Sequence, residues 1–166
     1  MSVTRHILRT WADPRRAMRA HLAQGVREDR AIGVLMGACL LIFIAQWPAA
    51  ARAAHLDPAV PLQARLGGAL MGTLFIVPLL AYAIAGASHL VARLMGGRGT
   101  WFGARMALFW SLLSVAPLML VQGLVAGFAG AGLVTTATGL VVAAGFLFLW
   151  LSALYEAERG GEEAST

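Results

Sequence analysis

Of 166 residues, 59% are hydrophobic and 13% charged, with a mean hydropathy of +0.73; soluble domains carry about 25% charged residues, so an ordinary soluble fold is excluded. The net charge of +5 comes from 13 basic residues, all Arg, and most of them have a topological explanation, so no nucleic-acid partner is expected. One cysteine, Cys39, leaves no intrachain disulfide and no cysteine cluster for a metal.

Residues 1–30 carry seven Arg against Asp13, Glu28 and Asp29. Apolar residues are interleaved with the charges, the pattern of a helix lying at a membrane surface. Thr4 is a candidate cap for a short turn that groups Ile7, Leu8 and Trp11. Asp13 followed by Pro14 is a cap and first-turn pair, so a second helix is predicted from Pro14, with Gly25 to end it. Met18 and Leu22 share one face of that helix, and Arg15, Arg16 and Arg19 lie nearer the headgroups. Membrane anchoring is the expected role, with partner docking the alternative.

Three stretches then lack charge entirely: Ala31 to Ala51, Leu66 to Ala92, and Met106 to Tyr155. About 20 apolar residues cross a hydrocarbon core roughly 30 Å thick. The first two stretches each fit one helix. The third, 50 residues long, is divided by Gly130, Ala131 and Gly132 and holds two. Predicted spans are 31–47, 67–94, 104–128 and 133–155, so the expected fold is an all-α integral membrane protein: a four-helix transmembrane bundle behind a basic amphipathic segment (1–30). Residues 156–166 form an acidic tail with Glu156, Glu158, Glu162 and Glu163, expected to be solvated and mobile, with weak exposed pairing to the basic N-terminal segment the alternative. The Ala49-Ala50-Ala51 run resembles a signal cleavage site, but the apolar stretch before it is too long, so a retained span is expected.

Four spans put both termini on one side. That side receives 11 Arg and the opposite side only Arg52 and Arg65, which by the positive-inside rule predicts both termini in the cytoplasm. Arg in place of Lys, with abundant Ala and Gly, fits a GC-rich bacterial genome, and the expected location is the bacterial inner membrane. Trp47, Trp101, Trp150 and Tyr155 fall near span ends, as interfacial aromatics do.

Within the spans, small residues recur at helical spacing: Gly33 and Gly37, Gly68 and Gly72, Gly123 and Gly127, and more weakly Gly139 and Ala143. Such pairs let helices approach closely, with closing the monomer the expected use and joining subunits the alternative. Pro78 and Pro117 are expected to bend their helices. Polar residues at depth are few, with His89, Gln122 and Thr138 a candidate polar cluster. Bonds to the helix backbone are the plainer reading.

No HExxH, Walker-type or GxSxG motif occurs. The four His are dispersed, and no metal or cofactor is expected. The Gly96-Gly97-Arg98-Gly99 loop, with Arg98 and Arg105 near headgroup phosphates, reads as a tight turn whose exposed amides are able to hold an anion.

This loop with the following Trp101-Phe102, Trp110 and Pro117, together with Trp11-Ala-Asp-Pro14-Arg-Arg-Ala-Met18, resembles the bacterial branch of the Yip family, named for Ypt-interacting proteins. The resemblance implies a short cytoplasmic N-terminal region, a Pro-Arg element at Pro14-Arg15, and a membrane bundle. The family is usually described with five spans, whereas this chain reads as four. Eukaryotic members are associated with small GTPases and vesicle traffic, so the resemblance implies fold more than activity. The expected function is non-enzymatic: binding or organising another membrane protein or complex, or a homo-oligomer, through helix packing and a basic face touching anionic lipids. The alternative is a small-solute transporter or channel formed by an oligomerised bundle.

Overall fold

The structure, a computed structural model, describes Ile7 and residues 10–159. The expectations for Thr4, Arg5, His6, Leu8, Arg9, Glu162 and Glu163 lie outside the described residues. A short helix, α1 (Pro14–Leu22), precedes four helices long and apolar enough to cross a membrane: α2 (Glu28–Leu56), α3 (Leu62–Leu94), α4 (Trp101–Ala129) and α5 (Leu133–Arg159). The Asp13 side chain accepts from the Arg16 N–H at 2.9 Å, and Pro14 occupies the first turn. Two of the orphan positions at this terminus are thereby accounted for.

The helices outrun the charge-free stretches. The first was expected to leave the membrane near Trp47 but continues to Leu56 with Pro48 inside it, 29 residues in all. At about 1.5 Å per residue this exceeds a roughly 30 Å core, so absence of charge marks the buried part of a helix and not its ends.

The centre of the bundle is α4. Because α4 is apolar on all sides, its first half, from Phe102 to Ala116, is buried almost throughout. There Met106, Ala107 and Phe109 pack with Leu35 and Cys39 of α2, Ala81 and Ala85 of α3, and Ala153 and Ala157 of α5. The second half opens outward, with Val121, Leu124 and Phe128 exposed.

Helices α2 and α4 run parallel, and their approach is set by glycine. A Cβ on Gly123 would sit 1.8 Å from the Ala45 carbonyl oxygen, and one on Gly127 2.5 Å from Pro48 Cβ. The third expected glycine pair therefore closes the monomer. Gly33, Gly68 and Gly72 have nothing within 4 Å of a Cβ, and Gly37 meets only Leu113 at 4.0 Å.

Helix α3 is interrupted by a π turn over Gly72–Ile76, just before Pro78. The Val77 N–H reaches back to the Gly72 carbonyl. A widened turn makes room for the proline ring, which in a regular helix collides with the carbonyl four residues earlier. Thr73 Oγ1 donates to the Ala69 carbonyl at 2.7 Å and accepts from Gln46 Nε2 of α2 at 2.8 Å, tying the irregular turn to its neighbour.

The two Arg on the sparsely charged side both serve loops. Arg52 Nη1 donates to the Phe128 carbonyl at 3.1 Å, satisfying the end of α4 where Gly130 turns at φ +74°. Arg65 Nε donates to the Val60 carbonyl at 3.0 Å, and its Nη2 pairs with Asp57 at 3.0 Å.

The N-terminal segment packs its apolar face on the other helices and leaves Arg15, Arg16 and Arg19 exposed. Met18 is fully buried in the main core. Ile7 packs with Ala38, Trp110 and Leu113, while Trp11 Nε1 donates to the Ser114 carbonyl at 3.1 Å. Trp110 Nε1 in turn donates to Thr10 Oγ1 at 3.0 Å. Large rings bury most favourably where their N–H groups find acceptors, and the gap between α4 and α5 supplies one for Trp11. A Cβ on Gly145 would lie 2.8 Å from the Trp11 ring, so glycine makes the space.

Candidate functional site: a carboxylate held by a glycine loop

Helix α3 ends in a Schellman arrangement: Gly96 takes φ +93°, its N–H bonds the Arg93 carbonyl at 3.0 Å, and the Gly97 N–H bonds the Ala92 carbonyl at 2.8 Å. The chain thus turns back across the end of α5. Thr100 then caps α4, its Oγ1 accepting from the Gly103 N–H at 3.0 Å.

Into this turn comes Glu158, from the last turn of α5. Its main-chain carbonyl accepts from the Arg98 N–H at 3.0 Å, and its Oε2 accepts from the Gly99 N–H at 3.1 Å. Its Oε1 lies 2.7 Å from Nδ1 of His89. Both side chains are buried, His89 at 1% and Glu158 at 8% exposure, so each needs the other. The imidazole packs on Trp101 with ring centroids 4.6 Å apart. One loop amide, that of Gly99, is thus taken by the chain's own Glu158 side chain.

This corrects the solvated-tail expectation: α5 continues to Arg159, Glu158 is buried, and Glu156 pairs with Arg19 at 2.8 Å. The loop fits Glu158 because its glycines carry no side chains. A Cβ at Gly99 would lie 2.5 Å from the Ala157 carbonyl oxygen and 2.8 Å from Glu158 Oε2.

The other candidate residues are dispersed. Thr138 Oγ1 donates to carbonyls of its own helix at 3.0 Å, and Gln122 packs over Gly139. Neither is joined to His89, whose polar partner is Glu158. Among the basic residues, Arg15 lies over the Tyr155 ring at 5.0 Å, Arg19 bonds Glu156, and Arg16 lines a recess beside Trp110 and His21. Arg105 pairs with Glu28 and lies 5.8 Å from the Tyr82 ring. Several thus join helices. Arg98 lines a cleft between the loop and α5.

Sequence reasoning missed Glu158. The signal was available in part: a loop of bare amides and one buried-span histidine both wanted an anion, and α5 ends in acids. No group of three or more metal-ligating side chains occurs among the described residues.

No curated protein and no solved structure matches the chain. The family model described as Yip1 domain matches residues 8–160, which takes in the docked N-terminal segment, all four long helices and the loop that holds Glu158. The chain therefore belongs to the Yip1 domain family of helical membrane proteins.

Proposed function

We propose that this protein is a non-enzymatic component of the bacterial inner membrane that binds or organises another membrane protein, with both termini in the cytoplasm. The observation that carries this reading is the division of the glycine pairs. Gly123 and Gly127 are consumed inside the monomer, whereas Gly68 and Gly72 face outward with open space at both positions. In lipid, association depends on close backbone approach, and a smooth face beside the exposed Met71 and Phe75 offers it. The Arg distribution supports the orientation, and the cytoplasmic ends of α1, α4 and α5 add polar contacts. Partners are expected to be another membrane protein, with anionic lipid around the basic face.

Mild extraction followed by native mass spectrometry tests this. A stoichiometric second protein is expected with the wild type and lost with Gly68→Leu/Gly72→Leu, at positions where an added Cβ has nothing within 4 Å in the isolated fold. Recovery of the monomer alone, or of the same complex from the variant, contradicts the reading.

A further inference from the structure

The N-terminal segment grips the bundle at two levels. At the deeper one, Trp11 lies over Gly145 and donates to the Ser114 carbonyl, while Thr10 accepts from Trp110. About 15 Å nearer the end of α5, at about 1.5 Å per residue, Arg15 lies 5.0 Å from the Tyr155 ring centre and Arg19 pairs with Glu156 at 2.8 Å. This second grip is the weaker. Arg19 is 55% exposed, Arg159 lies over the same Tyr155 ring at 4.6 Å, and exposed pairs of either kind add little. The side chain of Arg16 enters no ion pair among the described residues. Gly25, at φ +78° between α1 and α2, supplies a pivot.

We infer that α1 is a strap whose closure depends on lipid charge: on a neutral membrane it stays docked on α4 and α5, and anionic headgroups draw its arginines away and open it. Apolar burial does not decide between the two positions. Met18 and Leu22 leave water whether they lie in the bundle or at the acyl boundary, because lipid is as apolar as the core. The choice falls to packing and charge. Docked, Met18 is fully buried and the indoles of Trp11 and Trp110 find acceptors, which favours closure. Opened, Arg15, Arg16 and Arg19 exchange Glu156 and the Tyr155 ring for a field of phosphates, and each arginine gains a factor of roughly five near an anionic surface. The strap does not involve the Gly68–Gly72 face and stands independently of a protein partner.

Spin labels at Ala20→Cys on α1 and Leu140→Cys on α5, both exposed positions, read the strap in the full chain in lipid nanodiscs, in a Cys39→Ser background. Phosphatidylcholine should give one distance. As phosphatidylglycerol replaces it, a second and longer distance should gain population. At a fixed share of phosphatidylglycerol, Glu156→Gln removes a hold on α5 and should raise the ratio of open to closed strap severalfold. Arg16→Gln removes only a headgroup contact and should lower that ratio roughly fivefold, the equivalent of about 1 kcal/mol. Loss of packing alone would not give opposite signs. Arg65→Gln, at the other end of the bundle, should leave the ratio unchanged. A single distance that stays the same in every lipid mixture, or a shift of Glu156→Gln and Arg16→Gln in the same direction, would overturn the inference.

Discussion

Glu158 gathers a main-chain bond, a bond from Gly99 and a pairing with His89 within one helical turn. Removing one member of a buried pair leaves the other uncompensated, so Glu158→Ala should cost about 2–3 kcal/mol. Unfolding in mixed micelles measures it, and the loss combined with His89→Ala should be less than additive by about 1 kcal/mol. An unchanged midpoint for Glu158→Ala would show that the pair contributes nothing. Gly99→Ala should be similarly damaging, because its Cβ meets both the Ala157 carbonyl and the carboxylate. Half of this site was legible. The glycine loop and its capacity for an anion were visible in the sequence, whereas the identity of the anion was not, since Glu158 and Gly99 are 59 residues apart and meet only through the packing of α5 on α4.

The glycine pairs show the same division among whole helices. Spacing marked Gly33, Gly68 and Gly123 alike, but only the contact with the Ala45 carbonyl identifies Gly123 as the point where α2 and α4 touch. Gly123→Ala should destabilise the bundle by more than about 2 kcal/mol through forced separation of the backbones. Gly33→Ala should stay within about 0.5 kcal/mol, as an uncrowded surface change does. Chemical unfolding of the two variants side by side reads the difference, and equal effects would contradict the crossing. Absence of charge located four long helices because desolvation acts on each residue independently of its neighbours. It could not foresee that the apolar face of the N-terminal segment packs on the other helices. A face bearing Met18 and Leu22 suits lipid or protein equally, and the deciding features, the Trp11 bond to the Ser114 carbonyl and the space above Gly145, belong to other helices. Met18→Ala should therefore cost about 2 kcal/mol or more, a cavity effect that shallow lipid contact would not produce. Thermal unfolding in detergent is the measurement.

Taken whole, the molecule is a bundle closed around the first half of α4, with its charged groups concentrated at one end and glycine faces left open on α2 and α3. Thiol labelling in intact cells checks the orientation. In a Cys39→Ser background, Val60→Cys should react with an impermeant reagent from outside and Val26→Cys only after lysis, since both residues sit in exposed turns at opposite ends. The reverse pattern would invert the topology. The central claim is that the open glycine face of α3 meets another membrane protein, and photocrosslinking within native membranes reaches it most directly. A photoreactive side chain at Met71, beside Gly72, should give one crosslinked species of fixed mass, while the same probe at Leu140 on α5, also exposed, should give none. Lipid adducts alone at Met71, or an identical protein crosslink from both positions, would contradict it.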